Sequence, residues 1–306
     1  MSRAHELLPI PDRNLPEEPY PGLELTDAHR AALDIEERFV PGPKDAPDVR
    51  VLIYRPKDTP GKLPILLHLH GGAFCLSHPE TFAGMEAGWS MRHQCVVVSV
   101  DYRLAPEHPF PAAPEDCYAG LLWVADQAEA LGVDLERLVV TGGSAGGALT
   151  AAVALMARDR NGPQIAYQAM MIPVTDDRIR TPSMDQAGPE TPGFNRLGAE
   201  GMWLHYLGED YDRNTTSAYA APARAESLAG LPPAFVQTNG LDPLRDEGIE
   251  YALKLLADGV AVEVYNCPGA YHGAPPIDER AAAVATRVYD AALGAALNPD
   301  APTSGI

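Results

Sequence analysis

The chain has 306 residues, 46% hydrophobic and 21% charged, which suits one large or two small globular domains with a substantial core. Its net charge of −19 excludes nucleic acid and anionic membrane as expected partners, because their phosphates would repel it.

Four scattered cysteines (Cys75, Cys95, Cys117 and Cys267) form no CxxC pair and are too few for a disulfide framework. The N-terminus carries no apolar segment of the signal-peptide kind, and no apolar run approaches the ~18 residues that span a bilayer. The expected location is the cytoplasm.

Eleven of the 30 prolines fall in the first 64 residues, so regular helix and central strand are scarce there. The exception is "TDAHRAALDIEERF". Thr26 or Asp27 can cap it, and Ala28, Ala31, Ala32, Ile35 and Phe39 recur at steps of three and four, which predicts a helix over 26–39. From residue 49 the pattern changes to strands alternating with helices. "VRVLIYRP" (49–56), "LPILLHLH" (63–70), "CVVVSV" (95–100), "RLVV" (137–140), "YQAMMIPV" (167–174), "PAFVQT" (233–238) and "VEVYNC" (262–267) read as strands. Helix-length segments lie near 114–131, 145–160, 243–258 and 278–296. This alternation predicts an α/β fold, a mainly parallel sheet flanked by helices on both faces, with its site at the carboxyl ends of the strands.

Residues 175–225 break the rhythm with "TPSMDQAGPETPG" and no strand pattern, yet Phe194, Trp203 and Tyr206 supply apolar anchors. A helical cap is the expectation. The chain therefore divides into an N-terminal segment (1–47), an α/β core in two parts (48–174 and 226–306) and a cap insertion (175–225).

The stretch "LVVTGGSAGGALTAAVALM" (138–156) runs from a strand through Gly142-Gly143-Ser144-Ala145-Gly146 into a helix. That is G-x-S-x-G in the strand–turn–helix setting the motif requires. Small residues two positions to either side let a sharp turn lift the serine hydroxyl over the sheet edge. The Ala145 N–H is left free for an oxyanion, at the positive end of the following helix. A plain glycine turn or a phosphate loop would be the bland alternatives; G-K-[ST] and G-x-G-x-x-G spacing are both missing.

"HLHGGAFC" places Gly71 and Gly72 just after a strand, where their N–H groups can join that of Ala145. A serine needs a base. Of nine histidines, His272 in "NCPGAYHGAPP" follows the last strand and so shares a sheet edge with the serine. His70 is expected to shape the oxyanion loop. "FVQTNGLDPLRDEG" offers Asp242, Asp246 and Glu247 as the acid that orients the base, and Asp242 stands nearest the strand end. The order Ser144, Asp242, His272 is the one α/β-hydrolases use.

"HGGAF", "DYRLAPEHPFPAAPEDCYAG", "GGSAGG", "GLDPLRDEG" and "YHG" together resemble the hormone-sensitive-lipase-like family of α/β-hydrolase carboxylesterases, over residues 48–290. The resemblance implies Ser144 as nucleophile, His272 as base, Asp242 as orienting acid, and Gly71, Gly72 and Ala145 as oxyanion donors. It also implies that the N-terminal segment (1–47) and the 175–225 insertion build a cap over the catalytic core (48–174 and 226–306). The expected activity is that of a serine carboxylesterase of short- to medium-chain acyl esters, and its triad chemistry needs no metal or cofactor. An amidase or lactonase would use the same triad, and family members that bind small ligands without catalysis lack the histidine kept here. A homodimer is expected only by resemblance. Phe74, Phe194, Trp203 and Tyr206 are candidates for the substrate pocket or, equally, for cap packing. Asp101, Arg103 and Glu107 of "DYRLAPE" receive a structural role. Two positions depart from the family: Ala73 stands where a third glycine is usual, and Gly143 where Asp, Glu or Thr precedes the serine. The second departure is expected to alter the pH response or the firmness of the turn.

Overall fold

Leu33–Val40, the second half of the stretch expected to be helical, is a strand. The structure, a computed structural model, describes residues 2–11, 20, 22–273 and 279–300. In chain order its elements are α1 (Arg3–Leu7), α2 (Asp27–Ala32), β1 (Leu33–Val40), β2 (Val49–Pro56), β3 (Leu63–Leu69), α3 (Ala83–His93), β4 (Val96–Asp101), α4 (Ala112–Asp126) and α5 (Ala128–Leu131). Then come β5 (Val133–Gly143), α6 (Ala145–Asp159), β6 (Tyr167–Met171), α7 (Pro182–Gln186), α8 (Arg196–Leu207), β7 (Ala234–Asn239), α9 (Arg245–Ala257), β8 (Val262–Cys267) and α10 (Glu279–Leu297).

Thr26 does cap a helix, its Oγ1 accepting the His29 N–H at 3.2 Å, but α2 stops at Ala32. Residues 33–40 fit a period of two as well as 3.6, and eight registered pairs with β2, from Leu33 opposite Pro56 to Val40 opposite Val49, decide between them. The sheet therefore begins at residue 33, inside the segment expected to belong to the cap. Helix α3 is also new relative to the sequence reading, because Gly84 and Gly88 dilute its apolar pattern.

The eight strands run in the order β1-β2-β4-β3-β5-β6-β7-β8. β1 with β2 and β2 with β4 are antiparallel; every later pair is parallel. Both faces are covered, which explains the unbroken apolar runs. Ile65, Leu67, Val96, Val98, Leu138 and Val140 pack on one face, and Leu66, Val97, Val139 and Phe235 on the other. Each such side chain contributes about 1.5–3 kcal/mol of burial.

Residues 175–225 contain α7 and α8 and no strand among the described residues. Helix α1 packs along α8: the Ala4 N–H donates to Glu209 Oε1 at 2.8 Å, and His205 Nε2 hydrogen-bonds the Leu8 carbonyl at 2.9 Å. Among the described residues no helix is long and apolar enough to cross a membrane.

Candidate active site

β5 is a central strand, and its carboxyl end delivers the chain into a turn that only small residues can make. A Cβ on Gly142 would lie 2.4 Å from the Gly146 carbonyl oxygen, and one on Gly146 would lie 1.9 Å from that of Leu69. Between them Ser144 takes φ 56°, ψ −119°, a strained backbone conformation worth on the order of 1–3 kcal/mol. Neighbouring chain holds it there: the Ser144 N–H donates to the Met171 carbonyl at 2.8 Å, and the Val174 N–H donates to the Ser144 carbonyl at 3.1 Å. Gly143 is different, since a Cβ there would meet nothing nearer than Met171 at 3.8 Å. Nothing in the structure explains why this position is glycine.

The strained turn aims Ser144 Oγ at His272 Nε2, 2.9 Å away. On its other side, His272 Nδ1 lies 2.7 Å from Asp242 Oδ2. Both partners are buried, His272 at 8% exposure and Asp242 at 1%. Asp242 Oδ1 accepts the Leu244 N–H at 2.8 Å, which fixes the rotamer that presents the second oxygen to the imidazole. The other two acids of that loop are engaged elsewhere. Asp246 accepts the Ser183 N–H at 2.7 Å, and Glu247 accepts the Thr175 N–H at 2.6 Å.

β3, beside β5, ends in His70-Gly71-Gly72. A Cβ on Gly71 would sit 3.0 Å from the Gly143 carbonyl oxygen and 3.6 Å from Ser144 Cβ, so this loop lies against the serine turn. Gly72 has φ +118° and a Cβ there would strike the Leu76 carbonyl at 2.1 Å. Among the described residues the N–H groups of Gly71, Gly72 and Ala145 have no hydrogen-bond acceptor. Unsatisfied N–H groups on two abutting loops, one of them at the start of α6, can stabilise negative charge on an oxygen.

His70 shapes this loop. Its Nδ1–H donates to the Gly71 carbonyl at 2.7 Å, and its ring stacks on Tyr102 at 4.1 Å. The Tyr102 hydroxyl donates back to the His70 carbonyl at 2.8 Å. Burial, above all, depresses the His70 pKa to about 3, so the imidazole is neutral. Tyr102 lies inside "DYRLAPE", where the sequence offered no reason to single it out. Arg103 of the same stretch makes a bidentate pair with buried Asp116.

The four candidate pocket aromatics separate. Phe74 stacks on Tyr206 at 3.8 Å with Trp203 6.1 Å away, and all three are buried in one cluster. Phe194 is partly exposed, and its ring centroid lies 5.1 Å from that of His272.

A histidine bridging a strained serine and a buried carboxylate, on the carboxyl edge of a mainly parallel sheet, is the arrangement of α/β-hydrolases. A family model for the alpha/beta hydrolase fold matches residues 66–275, and the chain belongs to that family. The hormone-sensitive-lipase-like resemblance read from the sequence stands. The esterase LipI of Mycobacterium tuberculosis is 40% identical over 265 residues, covering 85% of this chain and 78% of that protein. Carboxylesterase NlhH of the same organism is 40% identical over 243 residues, covering 79% and 75%. Among solved structures, a bacterial heroin esterase superposes with a TM-score of 0.83 at 36% identity, covering 96% of this chain and 97% of that one.

Proposed function

We propose that the protein is a carboxylesterase that hydrolyses short- to medium-chain acyl esters through an acyl-enzyme. One observation carries the reading: Ser144 Oγ, His272 and Asp242 stand in hydrogen-bond sequence at 2.9 and 2.7 Å. The similarity to LipI, NlhH and the heroin esterase supports it.

Ser144 Oγ attacks the ester carbonyl carbon while His272 Nε2 takes the hydroxyl proton. Asp242 holds the imidazole with its proton on Nδ1 and stabilises the imidazolium that forms. The carbonyl oxygen becomes an oxyanion and receives hydrogen bonds from Gly71, Gly72 and Ala145. Collapse breaks the bond to the alcohol oxygen, which leaves with the proton from His272. Water then enters, loses a proton to His272, and releases the acid by the same path. These steps call for no metal or cofactor. Phe194, beside the imidazole, forms an apolar wall for the acyl or alcohol group, and α1 with the 175–225 segment forms a cap over it. The few, buried cysteines favour a reducing cytoplasm as its location.

The test is hydrolysis of p-nitrophenyl esters from acetate to palmitate beside Ser144→Ala. Turnover should peak at short chains and vanish in the variant. A folded wild type inactive on every ester would refute the reading.

A further inference from the structure

The chain carries 42 acidic residues against 23 lysines and arginines, yet one cavity reverses that balance. It has a volume of about 340 Å³ and is lined by Arg3 of α1, Arg178, Arg213, and Arg196 with Glu200 of α8. Four guanidiniums thus face one carboxylate. Arg178 is held by Asp176 in a bidentate pair, and Arg196 by Asp185. Glu200 is divided between Arg196 at 3.5 Å and Arg3 at 3.9 Å.

Arg213 has no such partner. Among the described residues it makes no ion pair, and its guanidinium has one hydrogen bond, from Nη1 to the Asp177 carbonyl at 3.2 Å. Burial first, and then repulsion from Arg3 and Arg224, hold its pKa below the usual arginine value against the pull of Asp177 and Glu200. Both carboxylates are engaged elsewhere, Asp177 by Arg224 and Glu200 by Arg196 and Arg3, so this half-buried cation lacks a direct ion-pair partner, a cost that an added anion would relieve.

Two chain connections tie segments that line this cavity to the serine turn and to the histidine. Arg178 is four residues from Val174, which holds the Ser144 carbonyl, so the backbones of Arg178 and Val174 are at most about 14 Å apart. Arg196 is two residues from Phe194, which lies on His272, a reach of at most about 7 Å.

We propose that this cavity is an anion subsite on the segments that lead to the serine turn and to Phe194, taking a carboxylate or phosphate group chiefly through Arg213, with Arg3, Arg178 and Arg196 around it. The anion is either the acid moiety of an ester substrate or a free oxyanion. Its use in turnover rests on the esterase reading; its occupation by an anion does not.

Inorganic phosphate, added at low ionic strength so that screening does not mask the effect, is the probe. Wild type, Arg213→Gln and Arg3→Gln are compared, the last on an exposed side chain that keeps the test open if the half-buried variant does not fold. Phosphate at ten times its Kd should raise the wild-type Tm by about 2 °C, and each variant's by less at the same concentration. In parallel, kcat/KM is measured for p-nitrophenyl hemiglutarate and for p-nitrophenyl valerate, its neutral counterpart. A substrate-borne acid predicts that the hemiglutarate:valerate ratio falls roughly tenfold in Arg213→Gln and that phosphate competes with hemiglutarate alone. Phosphate that binds and alters both esters equally supports the subsite with a free anion as its ligand. An unmoved wild-type Tm together with one ester ratio in all three proteins overturns the proposal. A phosphate shift without any ester turnover refutes the esterase reading and leaves the subsite standing.

Discussion

Glu247 Oε1 accepts the Thr175 N–H at 2.6 Å, joining two residues 72 positions apart. The same oxygen takes the Asp176 N–H at 3.2 Å, and the Thr175 hydroxyl donates to the Glu247 carbonyl at 3.1 Å. The neighbouring Val174 holds Ser144, and Asp242 lies five residues before Glu247. One buried carboxyl thereby fastens the serine side of the site to the acid side. Glu247→Ala should cost about 1–3 kcal/mol by orphaning two buried donors, and should lower kcat more than it changes KM. Denaturant unfolding and ester kinetics on the same preparation check both effects.

Burial pushes the Glu247 pKa well above the usual carboxylate value, with Asp176 and Asp242 adding to the rise. A carboxyl raised in the folded state binds its proton more tightly there than in the unfolded chain. Its contribution to stability is present below about pH 4.3, the unfolded value, and is lost as pH rises through the folded value. Glu247→Gln removes that loss, so its Tm should gain on wild type as pH increases from 4 to 8. Parallel Tm curves would contradict this account.

His70 works in the opposite sense. Its folded pKa, about 3, lies below the ordinary histidine value of roughly 6.5. Between those limits the unfolded chain takes up a proton that the folded chain refuses, so stability falls as pH drops, by up to about 1.4 kcal/mol per unit. His70→Asn should retain a donor toward the Gly71 carbonyl while flattening this acid dependence. Thermal melts from pH 7 to pH 4 read the slope directly.

The glycines of the serine turn should differ sharply in tolerance. Gly146→Ala drives a methyl to 1.9 Å from the Leu69 carbonyl and should abolish soluble, active protein. Gly143→Ala meets only ordinary contacts and should change stability by less than about 1 kcal/mol. Gly143→Asp adds a carboxylate beside Ser144 and should move the acidic limb of the pH–rate profile upward, because an added anion favours protonated imidazole. An unchanged profile and Tm would mean that this position does not tune the site.

Asp242→Asn should fold, since an amide oxygen can still accept the Leu244 N–H. It should lower kcat on the order of 10⁴-fold by admitting the wrong imidazole tautomer. Pre-steady-state kinetics with p-nitrophenyl acetate would show whether acylation is the step that slows.

What could be read from the sequence was set by short-range sterics. Gly142, Ser144 and Gly146 announce their turn because the collisions they avoid occur within a few residues and with the adjacent strand. Gly71 and Gly72 mark a strand end for the same reason, and His272 and Asp242 were narrowed by their positions after the last two strands. Position after the strand already favours Asp242 over Asp246 and Glu247; only the folded chain adds the reason, since Asp242 reaches His272 while the other two are spent on Ser183 and Thr175. Residues 33–40 fit a helix or a strand alone; a partner strand 16 residues onward settles them. The arginine cavity lies furthest from sequence reasoning. Arg3, Arg178, Arg196 and Arg213 share no motif or period, and their charges become neighbours only when α1 and α8 pack together beside the loops that carry the other two.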